Sequence, residues 1–218
     1  MTPSLIHPFL GLITLIQRIK DIIFIEGSVY DCNSYILDDT IIDTGTGLDN
    51  HLLSALKKVN ISPADIRLVM NTHCHFDHSG GNRLFPNADI AIHRMDAPPL
   101  EEGDSIATAA YLFGASIEPM KVDLKFEEGD NIGDFEIIHT PGHTRGSICL
   151  YDGETLISGD TIFAYGGFGR VDIGGSIKEM KKSLKKLIKL DVKYLLPGHG
   201  PWVEDGNRHL ELAYNILF

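Results

Sequence analysis

The sequence predicts an α/β (α+β) domain built as a four-layer αβ/βα sandwich, on three observations. Apolar strand-like runs alternate with helix-like stretches in both halves of the chain. Four of those runs end in a turn or loop carrying histidine or aspartate, the layout of a sandwich whose strand-end loops converge on one edge. At 218 residues and 43% hydrophobic content, the chain can bury a full core as one domain, so residues 1–218 are read as a single unit. Residues 1–11 are read as an N-terminal extension, and residues 12–25 as early strand material.

The elements follow in order. Residues 22–26 and 34–37 read as strands joined by the turn Tyr30-Asp31-Cys32-Asn33. Residues 40–43 form a third strand, closed by Thr44-Gly45-Thr46-Gly47. Residues 48–59 carry Leu52, Leu53, Leu56 and Val59 at helical spacing. Ser62 and Pro63 are suited to the cap and first position of a short helical turn. Ile66, Leu68, Val69 and Met70 lead into a histidine-rich loop, then a helix over 80–85 and a strand over 89–93. Residues 94–118 read as loop and helix, with 106–113 helical and covering one side of a site. Residues 135–138, 147–151, 155–157 and 192–194 are read as strands. Residues 176–190 and 204–218 are helices, the first with a lysine face at 178, 181, 182, 185, 186 and 189. That face reads as solvated surface in preference to an anionic-partner patch.

The chemistry lies in the turns. Residues 73–78 place three histidines and an aspartate in the order H-x-H-x-D-H: His73, His75, Asp77 and His78. Thr140-Pro141-Gly142-His143, Ser158-Gly159-Asp160 and Pro197-Gly198-His199 each end an apolar run. Imidazole and carboxylate are ligands that zinc and other first-row divalent cations accept. Five histidines and two aspartates exceed one tetrahedral site and suit two metals with one bridging carboxylate.

These four motifs, in this order, resemble the metallo-β-lactamase superfamily of metallohydrolases from about Ile22 onward. The resemblance implies that His73, His75 and His143 hold a first metal, that Asp77, His78 and His199 hold a second, and that Asp160 bridges. No position departs from that ligand set. It implies a metal-dependent hydrolase with two divalent ions, zinc first and iron or manganese as alternatives. A water shared between two such ions is the nucleophile, its pKa lowered from 15.7 toward ~7. Asp77 is then both ligand and proton acceptor. Asp43, at a strand end, either supports the ligand loop or caps a turn.

Composition narrows the partners. The net charge of −11, from 19 basic and 30 acidic residues, makes nucleic acid a poor partner. Three widely spaced cysteines argue against a disulfide framework and for a reducing, cytoplasmic setting. Cys74 is expected to point away from the metals, and Cys149 to lie in the core. The apolar stretch 5–16 contains His7 and Pro8, has no basic leader and is too short to cross a bilayer, so no membrane partner is expected. A small-molecule substrate is expected, with a homo-oligomer left open. His139 is read as surface or supporting; His7, His51, His93 and His209 have no ligand context.

Substrate rests on residues 163–172. The glycine-rich stretch Phe163-Ala164-Tyr165-Gly166-Gly167-Phe168-Gly169-Arg170-Val171-Asp172 resembles that of glyoxalase II-like hydrolases and persulfide dioxygenases. The resemblance implies a thioesterase (hydroxyacylglutathione hydrolase-like) with Arg170 binding the anionic thiol carrier. An Arg170–Asp172 contact is the competing structural reading. Nineteen residues follow His199, so the helical glutathione-binding domain of glyoxalase II is not expected. Small esters and lactones stay open. An iron persulfide dioxygenase, using His73, His143 and Asp160 as a facial triad, is the alternative chemistry.

Overall fold

The computed structural model describes residues 14–218; the expected extension over 1–11 lies outside them. Two sheets form. The first runs in chain order from β1 (Ile16–Ile19) and β2 (Ile22–Ile25) through β3 (Ser34–Leu37) and β4 (Thr40–Ile42). It continues through β5 (Leu68–Met70), β6 (Asp89–His93) and β7 (Leu124–Phe126). Pairing is antiparallel from β1 to β4 and parallel from β4 to β7. The second sheet holds β8 (Asn131–Ile132), β9 (Phe135–His139), β10 (Ile148–Tyr151), β11 (Thr155–Gly159), β12 (Tyr194–Pro197) and β13 (Val203–Glu204). There only β11 and β12 are parallel.

Side chains alternate across each strand, so each sheet has an inner and an outer face. Ile22 and Phe24 of β2, with Tyr35, Ile42 and Met70, pack against Phe135, Ile137, Leu150, Ile157 and Leu196 of the facing sheet. On the outer face of the first sheet, Ile25, Ile36, Ile41 and Val69 meet Leu52, Ala55 and Leu56 of α1 (His51–Lys58). α2 (Phe76–Ser79) and α3 (Ala97–Glu102) sit at one end of that sheet, where Phe76 and Leu100 share a smaller cluster with Cys74. On the outer face of the second sheet, Ile138, Cys149, Leu156 and Leu195 meet α4 (Ile177–Leu187) and α5 (Gly206–Leu217) through Met180, Leu184, Leu187, Leu210 and Ala213. This is the four-layer order that the alternating pattern predicts.

Local differences have local causes. The segment after α2 is a 3-10 turn, Gly80–Leu84, in which Gly81 packs so closely on the Thr44 carbonyl that a Cβ would clash. The helix expected over 106–113 is only the 3-10 turn Ala110–Phe113, flanked by left-handed Ala109 (φ 58°) and Gly114 (φ 63°). The short strands β7 and β8 carry no clear alternation and are not evident in the sequence. On α4, Lys182 pairs with Glu179 and Lys186 with Glu128, while Lys181 and Lys185 lie over the Phe218 ring. Among the described residues no helix is long and apolar enough to cross a membrane.

Candidate metal centre

Strand ends in both sheets deliver the site. β5 ends at Met70, and the chain turns through Thr72 and His73 into α2, so His75, Asp77 and His78 all project from one tight bend. β9 leads to the loop carrying His143, β11 to Asp160, and β12 to His199. The structure brings all seven candidate ligands together. His73, His75 and His143 form one cluster; Asp77, His78 and His199 form another; Asp160 lies with His73 and His78 between them. His143 Nε2 is 2.8 Å from His75 Nδ1 and 3.1 Å from His73 Nε2. His199 Nε2 is 3.2 Å from Asp77 Oδ2 and 3.3 Å from His78 Nε2. Asp160 reaches both clusters: Oδ1 lies 3.2 Å from His78 Nε2 and Oδ2 3.5 Å from His143 Nε2.

Hydrogen-bond partners assign the tautomers. His143 donates through Nδ1 to the Arg170 carbonyl at 2.7 Å, and His78 through Nδ1 to Asp43 at 2.8 Å. Thr72 Oγ1 donates to Asp43, which leaves the His73 Nδ1–H to donate to Thr72 Oγ1 at 3.1 Å. In each ring the proton faces outward, and an Nε2 lone pair faces the centre. Facing lone pairs cannot hydrogen-bond one another. Asp160 Oδ1 and His75 Nε2 are buried with no hydrogen-bond partner. Converging lone pairs and an unpaired carboxylate oxygen are the donor set of a divalent cation, and the seven residues fit two.

Three polar anchors hold the loops in register. Asp43, in the left-handed region (φ 58°), accepts from Thr72 N, Thr72 Oγ1 and His78 Nδ1, so it supports the ligand loop instead of merely capping a turn. Asp96 accepts from Cys74 N, Thr144 Oγ1 and Gly146 N, tying the first ligand loop to the His143 loop. Asn33 donates to the Pro197 and Gly200 carbonyls and Tyr35 to Pro197, fixing the His199 loop. Asp96 and Asn33 escape sequence reasoning because each is one polar residue in an irregular segment; only the partners reveal them. Gly198 is required by close approach, since a Cβ there would meet Asp160 Oδ1 at 2.3 Å.

The two clusters differ in charge. Burial, and then the His143 imidazole, push His75 down to about 3; His73 is likewise held well below the usual histidine range by burial and by His78. Burial opposes charge on His199 too, but Asp160 and Asp77 outweigh it and raise its pKa. Burial would raise the Asp160 and Asp77 carboxyls, yet the adjacent histidines hold both below the usual carboxylate range.

The centre opens into a cavity of about 260 Å³ lined by His75, Asp77, His143, Asp160 and His199, with Leu112, Phe113, Phe163, Arg170 and Ile173 at its rim. Larger grooves elsewhere hold no such cluster. The Arg170 guanidinium is more than half exposed and engages Asp172 through Nε (2.8 Å) and Nη2 (2.6 Å), as the structural reading of that residue expects.

The metallo-beta-lactamase superfamily profile matches residues 27–199, which spans every one of these side chains. The chain belongs to this superfamily. It is 37% identical over 212 residues to "Probable metallo-hydrolase MJ0888" of Methanocaldococcus jannaschii, covering 90% of this chain and 99% of that protein. It is 32% identical over 154 residues to the human "Acyl-coenzyme A thioesterase MBLAC2", covering 57% of this chain and 54% of that protein, so the match spans about half of the thioesterase. Among solved structures, TTHA1623 in a di-iron-bound form superposes with a TM-score of 0.69 at 30% identity, over 84% of this chain and 94% of that one. The BLEG-1 B3 metallo-beta-lactamase gives 0.71 at 29% identity, over 86% and 95%.

The remaining expected residues fall outside the centre. Cys74 is buried beside Phe76 and Leu100, and Cys149 lies under α4. His93 stacks on His139 with ring centroids 4.0 Å apart, His51 contacts the Glu26 carbonyl, and His209 accepts from Tyr165 N.

Proposed function

We propose that this metal-dependent hydrolase cleaves a thioester, or failing that a small ester, at the junction of the two clusters. The observation that carries the reading is the second cluster: Asp77, His78 and His199 converge beside the three-histidine cluster, with Asp160 facing both. His73, His75 and His143 would hold one divalent ion, Asp77, His78 and His199 the other, and Asp160 would bridge. Bound there, two such ions supply an acidified water and a Lewis acid for a carbonyl oxygen.

The chain's own groups do the rest. Asp43, Asp96, Asn33 and the Arg170 carbonyl lock the rings and loops, so the site is organised before substrate arrives. Asp77 is anionic at neutral pH, so its carboxylate accepts a hydrogen bond from the attacking water and orients it toward the carbonyl carbon. Water oxygen bonds to that carbon, the carbon–sulfur bond breaks, and the proton held at Asp77 passes to the departing sulfur. The products are a carboxylic acid and a thiol.

The similarity to a human acyl-CoA thioesterase supports a thioester over a lactone; the glycine-rich stretch resembles glyoxalase II-like hydrolases and persulfide dioxygenases alike. An iron dioxygenase using one two-histidine, one-aspartate triad leaves Asp77, His78 and His199 without a task. Zinc is proposed first, with iron and manganese as alternatives for the same donors. We place the activity in the cytoplasm, with a small-molecule substrate, no nucleic-acid partner, and residues 1–218 as one domain. The test is thiol release from acyl-CoA and S-lactoylglutathione before and after chelation. Activity lost with the metal and restored by zinc, iron or manganese supports the reading; hydrolysis indifferent to complete metal removal contradicts it.

A further inference from the structure

A second cavity adjoins the metal centre. It measures about 490 Å³ and is lined by Tyr30, Asp31, Leu48, Asp49, Leu112 and Phe113, together with Ser28 and Thr46. Leu112 and Phe113 also line the metal-centre cavity, so the two cavities lie side by side and share these residues. Large apolar side chains stand open there: Tyr30 is 70% exposed, Leu48 55% and Leu112 50%. Single exposed leucines are ordinary, but these come from three separate segments and converge on one groove beside the reactive centre.

The groove is held in shape. Phe76 N donates to the Thr108 carbonyl at 2.7 Å, and the Phe76 and Phe113 rings lie 5.8 Å apart, which ties the 3-10 turn to the ligand loop. Asp104 caps the same segment through Ile106 N and Ala107 N. Across the groove, Asp31 accepts from Ser28 Oγ, Thr46 N and Thr46 Oγ1, joining the β2–β3 hairpin to the loop after β4.

Charge sorts the two ends of a substrate. The groove carries the carboxylates of Asp31 and Asp49 and no cation among its lining residues, so an anionic thiol carrier is repelled from it. Arg170 lines the metal-centre cavity but not the groove, and Ile173 is shared between that cavity and a smaller one lined by Arg145. We infer that the Leu112–Tyr30 groove takes the apolar acyl chain of the substrate, with the carrier lying toward Arg170 and Arg145; this rests on the thioester reading above. Tyr30, Leu48, Leu112 and Phe113 are thereby residues that set specificity for chain length.

The test separates the groove from the reaction. Binding of straight-chain methyl ketones of five to eleven carbons is measured by calorimetry on the metal-loaded protein. The ketone head is constant, so the slope with length reports the groove alone. Each methylene should tighten binding about two- to four-fold over the first several carbons. Leu112→Asn and Tyr30→Ala should each flatten that slope, while Ile106→Ser, on the same segment but outside the groove, should keep it. In parallel, kcat/KM for thioesters of one small neutral thiol, acetyl to octanoyl, should rise with the same slope. A steep ketone series flattened by the two variants upholds the groove even where no thioester is turned over, and the hydrolase reading then fails alone. A flat ketone series, or a steep one untouched by both variants, overturns the assignment. A slope that appears only after removal of residues 1–11 places this chain's own N-terminus there and overturns it as well.

Discussion

The two ligand clusters are made of the same residue types in different surroundings. His73, His75 and His143 are buried at 1%, 4% and 2% exposure, and burial with neighbouring imidazoles keeps His73 and His75 neutral. In the second cluster the side chains of Asp77 and His199 are 19% and 36% exposed, and carboxylates raise the histidine pKa. The first cluster is the more deeply buried, suited to holding an ion tightly, although His75 and His143 also line the cavity. The second opens further to the cavity through Asp77 and His199, where a water and a substrate carbonyl must come and go. One loop serves both, which is why its four ligands crowd into six residues.

The contrast is sharpest for substitutions. His143→Ala removes the residue nearest both other rings of the more buried cluster and breaks the bond to the Arg170 carbonyl. Turnover should fall further than the ~10²–10⁴-fold that loss of a proton-transfer group costs, with metal content falling in step. Asp77→Asn, in the open cluster, should lose turnover within that ~10²–10⁴ range while elemental analysis finds most of the metal retained. Equal metal loss in the two variants would erase the distinction between them.

Protons should report the same difference in the metal-free protein. His75, depressed to about 3, stays neutral in the folded chain while an unfolded histidine takes up a proton near 6.5. Its contribution to stability is therefore full above pH ~6.5 and declines as pH falls toward 3. His199 is shifted the other way, so its contribution is present below pH ~6.5 and is lost as pH rises through its raised value. NMR of the imidazole protons should show two groups titrating on opposite sides of the ordinary value; a single group near 6.5 would refute the electrostatic contrast.

The smallest effect belongs to the rim. Arg170 is 54% exposed and already paired with Asp172, so solvent screening limits what its charge contributes. Arg170→Ala should lower kcat/KM for an anionic thioester by less than about ten-fold and leave a neutral aryl ester nearly unchanged. Equal losses on both substrates would assign Arg170 to loop support, through its carbonyl and Asp172.

All seven candidate ligands are legible in the sequence because each lies in one contiguous motif or just beyond an apolar strand. The sandwich is legible because apolar strand runs alternate with helix-like stretches in both halves of the chain. What escapes depends on distance in space. Asp96 sits in a segment of irregular backbone, yet it joins two ligand loops, at Cys74 N 22 residues before it and Thr144 Oγ1 48 residues after it. Asn33 does the same for the His199 loop across 164 residues. The 3-10 turn at Ala110–Phe113 reads as a longer helix because its apolar spacing is helical, while left-handed Ala109 and Gly114 stop it at both ends. No spacing rule reveals that Leu112 and Phe113 line both a groove and the metal-centre cavity.

The central claim is that both clusters hold an ion, one more buried and one more open. Metal stoichiometry on protein loaded to saturation and desalted tests it most directly, measured beside His199→Ala. The account predicts two ions per chain for the native protein and one for the variant, since loss of His199 leaves the three-histidine cluster intact. Saturation of the native protein at one ion, or two ions retained by His199→Ala, would contradict it.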